Sequence, residues 1–180
     1  MSAHHRQFDQ TDPPYSHPNP EDLNGGDPQI WPRPMRTHHW SGLGTLLKNY
    51  IMFVSWPFKY HGNACEKLGA IWQLPNVKGK TRLNVLVMLT PLFHGIGPHH
   101  FSSQYTWPYC GLIVSTDPVA ADATGARIIQ AKRNTFFGEE KPISPPPRHI
   151  AAADTQFRLG NSRPERIQLI NLGWGEDILI

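Results

Sequence analysis

The chain has 180 residues, of which 17% are charged, and its 17 basic and 14 acidic side chains leave a formal net charge of +3. This small charge, without any run of Lys or Arg, argues against nucleic acid as a partner. Its two cysteines are too few for a disulfide scaffold, or for a zinc or iron–sulfur site built by this chain alone.

The sequence predicts no transmembrane segment, because its longest apolar run, Val85 to Leu89, is far too short to cross a bilayer. The N-terminus is polar and lacks the apolar core of a signal peptide. We therefore expect a cytoplasmic protein, unless it is exported together with a partner.

Residues 1–37 predict an extended, Pro-rich N-terminal arm. They hold seven prolines and almost no apolar periodicity, so this segment cannot build a core of its own. If the arm is ordered, it has to dock on another molecule, because ordering costs about 1–2 kcal/mol per residue in backbone entropy. We expect it to contact a protein partner or a second copy in a homo-oligomer, with Tyr15, Trp31 and Met35 as its main anchors.

Residues 38–180 predict an α/β domain with an open, mostly parallel sheet and flanking helices, because short β-branched runs alternate with helical periodicity. The helices are predicted over 45–54, 61–74, 118–133 and 149–159, and the strands over 83–89, 111–115 and 166–172. Strands 83–89 and 111–115 should be neighbours in the sheet. The core is predicted to contain Val85, Leu86, Val87, Ile113, Val114, Ala123, Ala126, Ile128 or Ile129, and Ile170.

The central motif runs from Cys110 to Arg133, CGLIVSTDPVAADATGARIIQAKR, and predicts a strand, a turn and a long helix. Pro118 suits the first helical position, where its missing N–H costs nothing. Asp117 stands at the turn, where two interpretations are open. It is either the N-cap of the helix or a polar group that faces a cleft at the carboxyl end of the strand.

A second group of candidates is His94, His99 and His100, in a Gly- and aromatic-rich stretch without consistent period. Neutral imidazoles bind divalent transition metals, so these three are the candidate metal ligands, although their spacing matches no standard motif. His61 and Cys65 lie four residues apart on a predicted helix, which places both on one face. They could bind one metal ion as two ligands, or they could be a histidine at the start of a helix and a buried cysteine. The pair His38–His39 is similarly ambiguous.

Four blocks in order give the chain a resemblance to the domain of unknown function 362 family of bacteria and archaea. HWSGLGTLLKN (39–49) resembles the family's His and Lys-Asn block, and RLNVLVMLTPLFHGIGP (82–98) its strand and Gly-Pro loop. LIVSTDPVAADATGARII resembles its Asp-Pro-Val-Ala signature, and HIAAADTQFRLG followed by RIQLI its closing helix and strand. The resemblance implies the family's α/β fold, with His39, Lys48, Asn49 and Asp117 as pocket residues.

The chain also departs from this family's pattern. Members carry an N-terminal α/β half where this chain has its Pro-rich arm, and they often accompany ferredoxin-type Cys-x-x-Cys-x-x-Cys clusters, which are absent here. We therefore expect a non-catalytic or accessory subunit of an oligomer or of a larger complex with redox or metal centres. The alternative is an enzyme that binds a metal or small ligand in a His/Asp/Lys pocket.

Overall fold

The structure is a computed structural model that describes residues 33–95, 103–175 and 178–180. Its strands are β1 (Arg33–His38), β2 (Gly42–Gly44), β3 (Asn84–Leu92) and β4 (Gly111–Ser115). They form one mixed sheet in the order β2-β1-β3-β4. β1 is parallel to β3, whereas the β1–β2 and β3–β4 pairs are antiparallel.

The helical elements come in two kinds. The α-helical ones are α1 (Gly62–Cys65), α2 (Gly69–Trp72), α3 (Pro118–Phe137) and α4 (Arg148–Thr155). Short 3-10 helices cover Leu46–Phe53, Pro57–Tyr60, Glu66–Leu68, Ser103–Tyr105 and Pro164–Arg166. The long helix α3 begins with Pro118 and ends at Gly138, whose φ of 68° is the left-handed conformation that favours glycine.

Helix α3 packs on the sheet face that carries Leu86, and this contact confirms the α/β expectation. A Cβ at Gly125 would stand 2.7 Å from Leu86 Cδ2 and 3.2 Å from Met35 Cε, so the glycine lets the helix approach closely. Of the predicted core, Leu86, Ala123, Ile128 and Ile129 are buried, while Val85, Val87, Ile113 and Ala126 are partly buried.

Strands β3 and β4 are neighbours, as predicted, with Val85 opposite Val114 and Leu86 opposite Ile113. The predicted burial of Val114 is wrong, since it is 55% exposed on the face that α3 does not cover. Among the described residues the sheet has one parallel and two antiparallel pairings, rather than mostly parallel ones. The chain between β3 and β4 supplies no crossover helix in its described part, and a direct return of the chain gives antiparallel neighbours.

Two predicted elements differ in the structure. The sequence predicts a strand over 166–172, but beyond the 3-10 turn Pro164–Arg166 these residues pair with no strand in the described part of the chain, and Ile170 is 67% exposed instead of buried. The predicted helix over 61–74 is broken into α1, a 3-10 turn and α2. The break comes from Asn63, Ala64 and Cys65, which all have positive φ.

The predicted arm overlaps the sheet at its carboxyl end. Residues 33–37 belong to β1, and Met35 is buried in this chain's own core. The folded part therefore includes residues before 38. The anchors Tyr15 and Trp31 lie outside the described residues. Among the helices that the structure describes, none combines the length and apolar character needed to cross a membrane.

Candidate functional site

The candidate residues are divided between the two ends of the sheet. His39 follows β1, and Lys48 and Asn49 lie in the adjoining 3-10 helix Leu46–Phe53. Asp117 follows β4, and because β4 runs antiparallel to β3, it lies at the end where β3 begins. The structure thus brings Lys48 to the end of the sheet that carries His38 and His39, and leaves Asp117 at the other.

Asp117 is the N-cap of α3. Its Oδ1 accepts hydrogen bonds from the N–H groups of Val119 and Ala120, both at 2.8 Å. Its Oδ2 accepts from the backbone N–H of Asn161 at 2.8 Å and from Asn161 Nδ2 at 3.3 Å. A Cβ at Gly160 would overlap this carboxylate. The group therefore ties α3 to the chain after α4, which is a structural role.

A shallow cleft of about 230 Å³ opens beside this turn without including Asp117. Thr116 and Pro118 line it, together with Lys78, Thr81 and Arg158. The side chain of Asp117 is directed instead at Asn161, and Asp117 is not among the residues that line this cleft.

His94, the first candidate metal ligand, contacts a cation. Its Nδ1 lies 3.2 Å from a guanidinium nitrogen of Arg133, which also donates to the Phe93 carbonyl at 2.8 Å. Burial and then the charges of Arg133 and Lys141 lower the pKa of His94. His99 and His100 lie outside the described residues. In the described part of the chain, no group of three or more His, Cys, Asp or Glu side chains is placed to hold a metal ion.

The most unusual chemistry surrounds Lys48, which is only 2% exposed. Its Nζ lies 3.3 Å from His38 Nε2 and 3.3 Å from Ser41 Oγ. His61 borders the same space, because its ring centroid lies 6.4 Å from that of His38, and the Cys65 thiol faces Ser41. We call these five residues, His38, Ser41, Lys48, His61 and Cys65, the Lys48 centre.

The imidazoles of the Lys48 centre are kept neutral. Burial, followed by the nearby cationic groups with Lys48 first, lowers the pKa of His38 to about 3. Burial and then the charge of Lys48 also lower the pKa of His61, against an opposing hydrogen bond to the Pro57 carbonyl at 2.9 Å. A neutral imidazole can donate one hydrogen bond and accept another, whereas the charged form can only donate.

A strained turn holds Cys65 against the centre. Asn63, Ala64 and Cys65 have φ values of 48°, 54° and 63°, a left-handed run that costs roughly 1–2 kcal/mol per residue for non-glycine side chains. Burial raises the pKa of the fully buried Cys65 thiol, although Lys48 and Ser41 act in the opposite direction. The thiol is thus protonated at neutral pH, and strain of this kind concentrates at functional sites.

His149, at the start of α4, closes the inner side of the site. Its Nε2 lies 3.0 Å from Thr45 Oγ1, and its Nδ1 has no hydrogen bond of normal geometry, although the Ala64 carbonyl faces the ring. Complete burial, and then the charge of Lys48, lowers the pKa of His149 to about 3. The ring is therefore neutral over the physiological range.

This buried histidine makes stability depend on pH. Between about pH 6.5 and pH 3 the unfolded state binds a proton at His149 and the folded state does not, so the free energy of unfolding falls as pH falls. We expect His149→Gln, which can still bond Thr45, to reduce the loss between pH 7 and pH 5 by up to ~2 kcal/mol in urea unfolding. An undiminished loss in His149→Gln would show that another group causes it.

An aromatic layer covers the outer side of the Lys48 centre. It consists of His39, Trp40 and Phe58, which are all exposed. His39 stacks on His38 with ring centroids 4.8 Å apart, and Trp40 stands edge-on to His61 at 4.8 Å and to Phe58 at 6.1 Å. A small planar molecule that approached the centre would meet these rings first.

The Lys48 centre contains residues that sequence reasoning did not assign to the site. Ser41 and His149 were not candidates, and His38, His61 and Cys65 were considered with two interpretations open. The four-residue spacing of His61 and Cys65 was the only usable signal for that pair. Nothing local points to His149, which is 104 positions from its partner Thr45.

We compared the chain with family models, with curated proteins and with solved structures. None of the three comparisons gives a match. The resemblance to the domain of unknown function 362 family therefore stays an expectation from the four sequence blocks, and the site has to be interpreted from its own chemistry.

Proposed function

We propose that the chain binds a small, planar ligand at the Lys48 centre, beneath the aromatic layer. The observation that carries this proposal is the burial of the Lys48 amine against His38 and Ser41. Taking an amine out of water is costly, and proteins concentrate buried ionisable groups with shifted pKa values at functional sites.

The surroundings of Lys48 support a functional role over a purely structural one. The strained Asn63–Cys65 turn reduces stability, and an apolar residue at position 48 would pack without any desolvation cost. The strained turn and the buried amine both lower the stability of the folded state, and they lie at the same site. Features of this kind persist where the chemistry of the site requires them.

The geometry also indicates what the ligand should look like. The rings of His39 and Trp40 offer faces for stacking, while the nitrogen of Lys48 offers N–H donors for a carbonyl or carboxylate oxygen. A planar aromatic compound that carries one such oxygen group satisfies both requirements.

Binding can be tested with benzamide and benzoate as probes. We expect one of them to shift the imidazole NMR signals of His38 and His61 saturably at pH 7, with at least tenfold weaker binding to Lys48→Met. The matched control is Lys59→Met, an exposed lysine on the neighbouring 3-10 helix Pro57–Tyr60, which should bind like the parent. Saturable shifts of equal affinity in Lys48→Met, or no shift with either probe, would contradict the proposal.

A second proposal is that the chain is an accessory subunit that assembles with a second copy of itself. Its support is the sheet face opposite α3, where Leu89 is 50%, Leu112 59% and Val114 55% exposed. Val85 and Val87 are the register partners of Val114 and Leu112, so these five residues form one apolar surface, which we call the open face. An apolar surface without charges is complementary to itself, as a two-fold dimer of packed sheets requires.

We expect Leu112→Lys/Val114→Lys to lower the mass of the protein in light scattering from dimer to monomer. Trp56→Lys, which places the same charge on an exposed aromatic residue elsewhere, should leave the dimer intact. A parent that is monomeric at high micromolar concentration would contradict the proposal. Deleting residues 1–28, which keeps β1 whole, tests separately whether the arm contributes to assembly.

A further inference from the structure

Residues 168–174, QLINLGW, form an exposed segment that is rich in apolar side chains but lies outside the sheet. Every residue in it is exposed, and Ile170, Leu172 and Trp174 are 67%, 89% and 92% exposed. It contains no charged side chain. Isolated exposed apolar residues are normal, whereas a contiguous run of them marks an interaction site. We call residues 168–174 the QLINLGW segment.

The backbone of the QLINLGW segment is unpaired in the described part of the chain. No backbone hydrogen bond joins it to another described segment, and residues 168–172 form neither helix nor turn. The chain on either side is held on the protein's own core, because Ile167 before the segment and Leu179 and Ile180 after it pack there. The segment between these contacts therefore leaves its N–H and C=O groups open to a strand of another molecule.

Strand β4 is the sheet edge to which such a segment can be added. It ends the order β2-β1-β3-β4, so among the described strands only β3 pairs with it. Natural edge strands are usually protected by charges, by proline or by a covering element, because they present backbone N–H and C=O groups to any further strand. β4 has neither a charge nor a proline, and its Leu112 and Val114 are exposed. The opposite edge, β2, is only three residues long and completely buried, so β4 is the edge that can take another strand.

We infer that the QLINLGW segment of one copy pairs as an added strand with β4 of a second copy, and this rests on the proposed assembly of the chain with itself. The occupant of the edge is a second copy because each chain has one uncovered edge and one unpaired segment. Two chains therefore complete each other in a closed, two-fold exchange of strands. Neither element carries a charge, so no like charges meet in the contact.

The added strand also continues the open face. Side chains two positions apart lie on one face of a strand, so Ile170 and Leu172 share a face of the added strand, as Leu112 and Val114 do on β4. Pairing in the matching register places these four side chains next to one another and widens the apolar surface by one strand. Strand addition thus covers apolar side chains of both elements, while the backbone hydrogen bonds satisfy the unpaired groups.

Amide hydrogen exchange of the full-length protein, followed by mass spectrometry, tests the pairing. We expect amides of the QLINLGW segment to exchange at least tenfold more slowly in the dimer than in the monomer, which light scattering identifies at high and low protein concentration. Residues 139–140, which are also exposed, are the internal control and should exchange equally in both. Exchange of the segment that does not depend on assembly would overturn the inference, because the segment then pairs within its own chain or does not pair at all.

The double variant Leu169→Pro/Ile170→Pro tests the backbone hydrogen bonds directly. The N–H groups of neighbouring residues point to opposite edges of a strand, so one of the two prolines removes a donor to β4 in either register. Leu169→Ala/Ile170→Ala shortens the same side chains but keeps both N–H groups, which makes it the matched control. We expect the dimer dissociation constant of the proline variant to be at least tenfold higher than that of the alanine variant. The two monomers should have the same urea midpoint, because the segment has no backbone pairing within the described chain.

Equal dissociation constants for the proline and alanine variants would overturn the strand pairing. If the proline variant keeps the dimer while Leu112→Lys/Val114→Lys loses it, the open face alone holds the two copies together and the proposed assembly stands. A parent protein that stays monomeric at high micromolar concentration contradicts both the assembly and the strand pairing.

Discussion

Replacing Gly42 with alanine should destabilise the protein by about 3 kcal/mol or more, enough to remove a large share of the stability of a small domain. Gly42 has a φ of +73°, and a Cβ at this position would overlap the Pro145 carbonyl oxygen and lie 3.1 Å from Pro147 N. The obstacle is backbone rather than a flexible side chain, so it cannot move aside cheaply. Urea unfolding at pH 7 measures the loss.

Gly79→Ala is a matched control for that experiment. Gly79 has the same φ of +73°, but nothing lies within 4 Å of the position of its Cβ. Its replacement should therefore cost only the backbone strain, about 1 kcal/mol. The difference between the two variants measures the contact between the β1–β2 turn and the chain before α4. Equal losses would show that this contact is not as close as the structure has it.

Asp122→Ala should cost about 3–5 kcal/mol, because it leaves buried backbone donors without their acceptor. Asp122 is fully buried on α3, and its two oxygens accept from the N–H groups of Leu46 at 2.8 Å and Leu47 at 2.9 Å. These bonds satisfy the first two N–H groups of the 3-10 helix that carries Lys48. The variant should therefore also shift the NMR signals of His38, in addition to lowering the urea midpoint.

Asp154→Ala is the corresponding control on the surface. Asp154 also accepts two hydrogen bonds, from the backbone N–H and the hydroxyl of Ser162 at 2.9 and 2.7 Å, but it is only partly buried. Water can replace those bonds, so we expect a loss of about 1 kcal/mol. If Asp122→Ala costs no more than Asp154→Ala, Asp122 does not anchor the Lys48 centre.

The parts of the fold that could be predicted from sequence are those with local signals. The start of α3 follows from Asp117 and Pro118, whose capping chemistry needs only neighbouring residues. Strand β3 follows from its continuous apolar run. The neighbour relation between β3 and β4 was also predictable, but the antiparallel direction was not, because it depends on how the connecting loop returns.

The site was harder to predict because its geometry depends on contacts between distant segments and on backbone conformation. Lys48 was named through the family resemblance, but its burial results from packing of β1, α3 and α4 around it. The left-handed run Asn63–Cys65 has no signature in residue type, since alanine and cysteine seldom adopt positive φ. A sequence pattern assigned a regular helix there, and tertiary contacts override it.

The hydrogen bond between Thr45 and His149 joins residues 104 positions apart, and this separation has a consequence for the order of assembly. During synthesis the β1–β2 hairpin can pair locally as soon as it emerges, whereas α4 emerges well after it. Contacts between residues far apart in sequence form late. Closing the long loop between them loses chain entropy before the contact contributes any stabilisation. The Lys48 centre is therefore completed only when α4 docks, and until then the nascent chain carries the Lys48 amine in an open, solvated form.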